Sequence, residues 1–483
     1  LDSASGDDIY SHFANGPATK EIIERNKDNF IVSINGMTPF DFVLTFGSEY
    51  YNFMKNKDAK YTFASLIFSN TLTLDRFPML EKDFTNFNVV YSNGESFTSD
   101  FYFLNGYAME TRERSDVNGL KRFKRESFKE NTERKDIGND GTKTYNSGVQ
   151  LEEKKSMTDA DVVEVLKKYD FENRRKAKTQ VKMGNTRAST TTTNAITWEH
   201  STSDGILKCR VDEKNKMDVF FINSFNTEDE NSVIEFIGVL TDCITDFDEN
   251  EYPIVVIDDF NTGGTAVLAL VFQELLQQDM RARSFVSYKN DERVHKLITS
   301  VVNTGIFQNQ TSGKAITTVE ELMEGAETDD FGNGVTHSRS KPALFLYSPT
   351  RDTVDTIKPT LKRNRKPTDI LVFTDSFSFS AGAIFTKGLK EAGSAIIVGY
   401  NGYPGSKKDS FDIGQSPANN FNKGLEILGK DEYNRLIEKG ITFESITTGE
   451  IFRASDVENG IKPLVPREFL VDAPDERVAI YSA

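Results

Sequence analysis

The stretch Asp375–Gly399 reads DSFSFSAGAIFTKGLKEAGSAIIVG, and its first half decides how the chain is read. The apolar run DILVFTD (369–375) has the composition of a buried strand. It passes into the helical pattern AGAIFTKGLKEAG through Ser376, Ser378 and Ser380, with no ordinary turn between, and a further strand, AIIVG, follows. Upstream the same alternation recurs. DVFFINSF (218–225) and PIVVID (253–258) read as strands, and NSVIEFIGVLTDCITDF (231–247) places Val233, Phe236, Ile237, Leu240 and Ile244 on one helical face. After PIVVID come Asn261-Thr262-Gly263-Gly264 and the helix TAVLALVFQELLQQ. Continuous apolar strands alternating with helices predict an α/β sheet covered on both faces.

In such a sheet, chemistry collects at the carboxyl ends of the strands, where the next helix offers free N–H groups. Ser380 stands at that position, in a partial positive field and beside amides able to hold an oxyanion. Ala381 and Gly382 would leave room for a substrate backbone. An N-cap is the simpler role for such a serine. Gly263-Gly264, also between a strand and a helix, would bring a second set of amides to the same edge, or would form only a tight turn.

The chain has 483 residues, 37% of them hydrophobic, which predicts more than one domain. Its 58 basic and 74 acidic residues give a net charge of -16, which argues against nucleic acid or anionic membranes as partners. No apolar run of spanning length is present, so no integral membrane segment is expected. The start, LDSASGDDIY, lacks the layout of a signal peptide, and the absence of an initiator Met suggests a processed or truncated form. Cys209 and Cys243 are too few for a disulfide framework or a cysteine-rich zinc site, and whether they pair is open. The sequon Asn309-Gln310-Thr311 permits secretion, so an extracellular or secretory location is the expectation. With no P-loop, dinucleotide fingerprint or metal-ligand cluster, no cofactor is expected.

Residues 1–109 read as a small, mainly β domain, with hairpin turns at Asn35-Gly36 and Asn93-Gly94. Residues 110–194 are charged and Ser/Thr-rich, the composition of a linker. One short helix near MTDADVVEVLKKYDF interrupts it, with Thr158 as N-cap and Val162, Val165, Leu166 and Tyr169 on one face. Residues 195–483 form the α/β core.

The pairing of IVVIDDFNTGG with TDSFSFSAGAIFTKGLKEAGSAIIVG resembles the tail-specific, or C-terminal processing, serine proteases over roughly residues 215–470. The strand end lacks that family's arginine and is one residue shorter, and Phe379 and Gly382 depart from its usual serine elbow. The resemblance implies a crotonase-like spiral of ββα units and a serine endopeptidase acting on peptides or proteins. Ser380 would be the nucleophile, with Gly263, Gly264 and Ala381 supplying the oxyanion amides. One branch of the family uses a lysine as base, which points to Lys407 or Lys408. The branch of the tricorn core and the chlamydial protease-like factor uses a histidine oriented by a glutamate. TTGEIFRAS would then make Glu450 the orienter, with His200 ahead of His12, or a histidine upstream of Leu1, as the base. NFIVSINGMTPFDFV resembles the PDZ-like segment of the chlamydial type. A non-catalytic relative that binds a ligand or peptide is the alternative, and homo-oligomerisation is left open.

Overall fold

The computed structural model describes residues 21–50, 54–69, 86–100, 157–168, 197–345, 354–421 and 446–478, together with 435 and 439. Within these ranges residues 23, 158, 331, 332, 416, 417 and 463 are left aside. The chain divides into two compact units, Leu1–Phe53 with Phe63–Glu152 and Met54–Thr62 with Glu153–Ala483.

In the first unit, Ile31–Ile34, Asn86–Tyr91 and Ser96–Asp100 form an antiparallel sheet in that order, and Pro39–Tyr50 is a helix. Asn35 and Gly36 have φ of 51° and 80°, and the N–H groups of Ile34 and Met37 each bond the other's carbonyl. This is the two-residue primed hairpin that Asn-Gly favours. The second hairpin differs. Gly94 alone takes a positive φ, 85°, while the Tyr91 N–H reaches the Glu95 carbonyl, so the loop has three residues and one left-handed glycine.

The second unit is mixed α/β. Its seven-stranded sheet runs in the order Glu476–Val478, Ile396–Tyr400, Ile370–Thr374, Ile254–Asp258, Met217–Ile222, Leu207–Asp212, His200–Ser201. The first five of these are parallel neighbours, and the last two are antiparallel additions at one edge. Ile254, Val256, Ile370, Val372 and Ile397 are buried, as unbroken apolar strands require when helices cover them. A second sheet of six strands contains Ser284–Tyr288 flanked by Ala343–Phe345 and Ile446–Phe452.

The helix Glu230–Phe247 begins at Asp229, whose carboxylate accepts the Ser232 N–H in a capping box, and Val233, Phe236, Ile237, Leu240 and Ile244 are all buried. The helix Ala266–Leu276 is buried on every side. It packs against the helix Ala381–Glu391, where the Gln273 amide donates to the Ile384 and Phe385 carbonyls at 2.7 and 2.9 Å. Phe220, Phe247, Phe272 and Phe385 interlock here, with neighbouring ring centroids 4.9–5.0 Å apart. Cys209 and Cys243 pair as a disulfide that ties the strand Leu207–Asp212 to the helix Glu230–Phe247.

The helix Asp159–Lys168 is not a linker element. Val162, Val163, Val165 and Leu166 are buried in the core of the second unit, and the Asp159 carboxylate accepts the Val267 N–H at 3.1 Å. Val162, Val165 and Leu166 of its apolar stripe are buried, and the surface it covers belongs to the downstream helices Glu230–Phe247, Ala266–Leu276 and Glu292–Asn303. Thr158, Tyr169 and most of 110–194 lie outside the described residues. Among the described residues no helix is long and apolar enough to cross a membrane.

Candidate functional site

Ile254–Asp258 and Ile370–Thr374 are adjacent parallel strands in register, with Asp258 opposite Thr374, so the loops that leave them meet at one sheet edge. Three non-glycine residues there have left-handed backbones: Phe260 (φ 48°), Ser376 (φ 71°) and Ser380 (φ 52°). Such conformations cost of order 1–3 kcal/mol each, and persist only where the surroundings impose them. Ser380 stands at the N-cap position of the Ala381–Glu391 helix with ψ -113°, and its side chain makes no capping hydrogen bond. The simpler role of a helix cap is therefore not what this serine performs. It sits on a sharp strand-to-helix elbow, and among the described residues its hydroxyl has no hydrogen-bond partner.

The elbow is held on both sides. The Ser380 N–H donates to the Gln415 carbonyl at 2.9 Å and the Gln415 N–H to the Ser378 carbonyl at 2.7 Å, while the Phe379 N–H donates to the Asn261 carbonyl at 2.8 Å. Gly263 lies directly against it. A Cβ on Gly263 would fall 2.8 Å from the Ser380 Cβ and 3.2 Å from the Ala381 nitrogen.

The glycine pair is fixed from the other side. The Gly263 carbonyl accepts from the Phe225 N–H at 2.6 Å and from the Ser224 hydroxyl at 3.0 Å. In a trans peptide the following N–H points opposite to that carbonyl. The Gly264 N–H is thus aimed away from Phe225. Neither the Gly264 nor the Ala381 N–H has a hydrogen-bond acceptor among the described residues. Of the two glycines, Gly263 spends its own N–H on the Asn261 side chain and serves by close approach.

Gly382 does not leave space for a substrate. A Cβ there would lie 2.6 Å from the Ser378 hydroxyl and 2.8 Å from the Asn261 side chain, so the space is already filled by the loops.

Below the elbow lies a buried acidic group that the sequence reading did not assign. Burial pushes Asp258 up to about 7, against the hydrogen bond that the Asn261 amide donates to it. Asp375 is pushed up to about 8 by burial and then by repulsion from Asp259 and Asp258, although the Phe377 and Phe260 N–H groups donate to it. Asp259 accepts from the Tyr400 hydroxyl, whose own ionisation is driven up by burial and by these carboxylates. The signal was present as aspartates closing two apolar strands, IVVID and ILVFTD, but only the register makes them neighbours. Phe260 and Phe377 stack above them with centroids 4.0 Å apart.

Among the base candidates, His200 is not brought to Ser380. His200 occupies the edge strand, four ladder steps from Ile370–Thr374, or about 19 Å at ~4.8 Å per step. Its Nε2 is bound to the Asp246 carboxylate at 2.7 Å. This corrects its expected catalytic placement, since its proximity in sequence to the core put it at the wrong edge of the sheet. Lys407 and Lys408 are exposed, and Lys408 donates to the Asp475 carbonyl. A lysine base must be desolvated to be neutral near pH 7, so neither fits. His295, on the helix Glu292–Asn303, is bonded to Asn290 at 3.0 Å. His12 lies outside the described residues.

Glu450 is half-buried, and burial raises its carboxyl above the usual range, opposed by the charges of His337 and Arg339. It pairs across the ladder with Ala418, three positions beyond Gln415, the residue that binds the Ser380 N–H.

Neither a protein-family model nor a curated protein matches the chain. Among solved structures it is similar to a candidate peptidase from Parabacteroides merdae, at 12% identity and a TM-score of 0.29, over 59% of this chain and 60% of that one. It is also similar to mature CPAF complexed with lactacystin, at 13% identity and a TM-score of 0.41, over 93% of this chain and 72% of that one. A further structure of mature CPAF matches over the same shares at 11% identity and a TM-score of 0.41. The chain thus spans less than two thirds of the Parabacteroides protein.

Proposed function

We propose that this chain is a serine endopeptidase of the tail-specific type, hydrolysing peptide bonds through an acyl-enzyme on Ser380, with a crotonase-like core and a PDZ-like first unit. The observation that carries the reading is the uncapped, strained Ser380 flanked by the unengaged N–H groups of Gly264 and Ala381. The Ser380 hydroxyl attacks the scissile carbonyl and loses its proton to a base. The carbonyl oxygen, now an oxyanion, takes the two amides. Collapse expels the amine and leaves an ester on Ser380, which water then hydrolyses. Glu450 is kept as the carboxylate that orients the base. The substrate is a peptide or protein, and the Cys209–Cys243 disulfide together with the exposed sequon at Asn309 supports a secretory location.

A fluorophosphonate probe followed by peptide mapping tests the reading. Modification should fall on Ser380 and vanish, with peptidase activity, in Ser380→Ala, because only an activated serine reacts quickly. Labelling that survives in this variant refutes it. The second reading is a non-catalytic relative that binds a ligand or peptide. The position of His200 at the far edge of the sheet and the exposure of Lys407 favour it, and a folded chain that the probe does not label would establish it.

A further inference from the structure

The two amides of the candidate oxyanion site come from different loops, one after Ile254–Asp258 and one after Ile370–Thr374, and something must fix the distance between them. Asn261 is fully buried and touches both. Its Oδ1 accepts the Gly263 N–H at 2.9 Å, and its main-chain carbonyl accepts the Phe379 N–H at 2.8 Å, one residue before Ser380. Its side chain occupies the space that a Cβ on Gly382 would need. The orientation of the amide is set by Asp258, whose Oδ1 accepts the Asn261 Nδ2 at 2.7 Å. Asp258 is itself fully buried at the end of its strand, and the Asn261 amide is the hydrogen-bond donor its carboxyl has from this loop.

We propose that Asp258 and Asn261 form a buried brace that holds the Gly263–Gly264 loop at a fixed distance from the Ser380 elbow, so both are positioning residues for oxyanion binding. This rests on Ser380 being the nucleophile. Asp258 holds the Asn261 amide with its oxygen towards Gly263. With the Gly263 N–H held there and its carbonyl held by Phe225, the Gly264 N–H has only one direction left. The brace stabilises the developing oxyanion without touching the substrate, so it acts on the rate of the chemical step and not on substrate affinity.

The isosteric change Asn261→Asp exposes the mechanism. With a proton shared between the two carboxyls, residue 261 can still donate to Asp258 and accept from Gly263. When that proton leaves, two carboxylates face each other and the loop is pushed from the elbow. The exchange Asp258→Asn with Asn261→Asp restores a neutral donor opposite a carboxylate acceptor, with the Gly263 N–H still bound. The other ionisable groups around the brace are Asp259, Asp375 and Tyr400. They are common to all the proteins compared, so the ratio of variant to wild type divides out most of their titration.

The experiment uses the full chain and measures fluorophosphonate labelling rate and peptide kcat and KM between pH 5 and 9. Asn261→Ala should lose about 10²–10³-fold in labelling rate and kcat with KM little changed, the loss that removal of one oxyanion donor produces. Asn261→Asp should approach wild type at acidic pH and fall away as the pH rises, and the exchanged pair should recover at high pH. A flat pH ratio for Asn261→Asp, or an exchanged pair no better than Asn261→Asp alone, overturns the brace. Ser380→Ala separates the two ideas. Labelling that persists there removes the nucleophile and the brace with it, whereas labelling lost there but unchanged in Asn261→Asp at every pH removes the brace alone.

Discussion

Gly263→Ala is the smallest change that should disable the site, and its cost follows from the geometry. The added methyl would stand 2.5 Å from the Phe379 carbonyl oxygen, 2.8 Å from the Ser380 Cβ and 3.2 Å from the Ala381 nitrogen. Two of these three are backbone atoms and the third is a Cβ, so no flexible side-chain end can swing aside. Gly263 also has φ +83°, a conformation that costs an L residue about 1–2 kcal/mol. Overpacking adds typically 1–3 kcal/mol, so a stability loss of about 2–5 kcal/mol is expected. The loop must retreat from the elbow to relieve the contact, carrying the Gly264 N–H with it. Losing one oxyanion donor costs about 10²–10³-fold in kcat. Denaturant unfolding would measure the first quantity, and fluorophosphonate labelling under conditions where circular dichroism shows the variant folded would measure the second. A folded Gly263→Ala that is labelled within a factor of a few of wild type would show that this loop does not serve Ser380.

The Cys209–Cys243 disulfide closes a separation of 34 residues, worth about 3.8 kcal/mol in the chain-entropy relation, so Cys209→Ser with Cys243→Ser should unfold at correspondingly lower denaturant. An unchanged midpoint would mean that the bond does not form. Asp375, pushed up to about 8 by burial, binds its proton more tightly folded than unfolded. Its contribution to stability is therefore complete below about pH 4 and declines as the pH rises towards 8. Asp375→Asn should gain stability relative to wild type across that interval, and parallel unfolding curves at every pH would contradict the shift. Asn309 and Thr311 are exposed on a hairpin, so expression through a secretory pathway should yield a chain whose mobility changes on removal of N-glycans and does not change in Asn309→Gln.

The strands and helices around Ser380 were legible because their signals are local. Apolar runs bounded by turn residues marked Ile254–Asp258, Ile370–Thr374 and Ile396–Tyr400 to within a residue or two, and the 3.6-residue spacing in 231–247 named the buried face of its helix. The place of Ser380 between strand and helix is local too, and so is Asn35-Gly36, two residue types that accept the positive φ this turn needs. Strand order is not local. His200 stands just before the core in sequence, yet the sheet adds its strand at the far edge, where Asp246 meets it. Asp258 and Asp375 are more than a hundred positions apart and become neighbours only because their strands pair in parallel register. The left-handed backbone at Ser380, Ser376 and Phe260 is likewise outside what residue type predicts, since such side chains avoid it. The main-chain carbonyls of Asn261 and Gln415, accepting from Phe379 and Ser380, and the Asp375 carboxylate, accepting from Phe260, hold these loops from positions distant in sequence. Which residues stand at the strand ends was set by the sequence through burial and periodicity. How those ends are held together was decided by tertiary packing, because the energy that strains the elbow comes from contacts no local stretch contains.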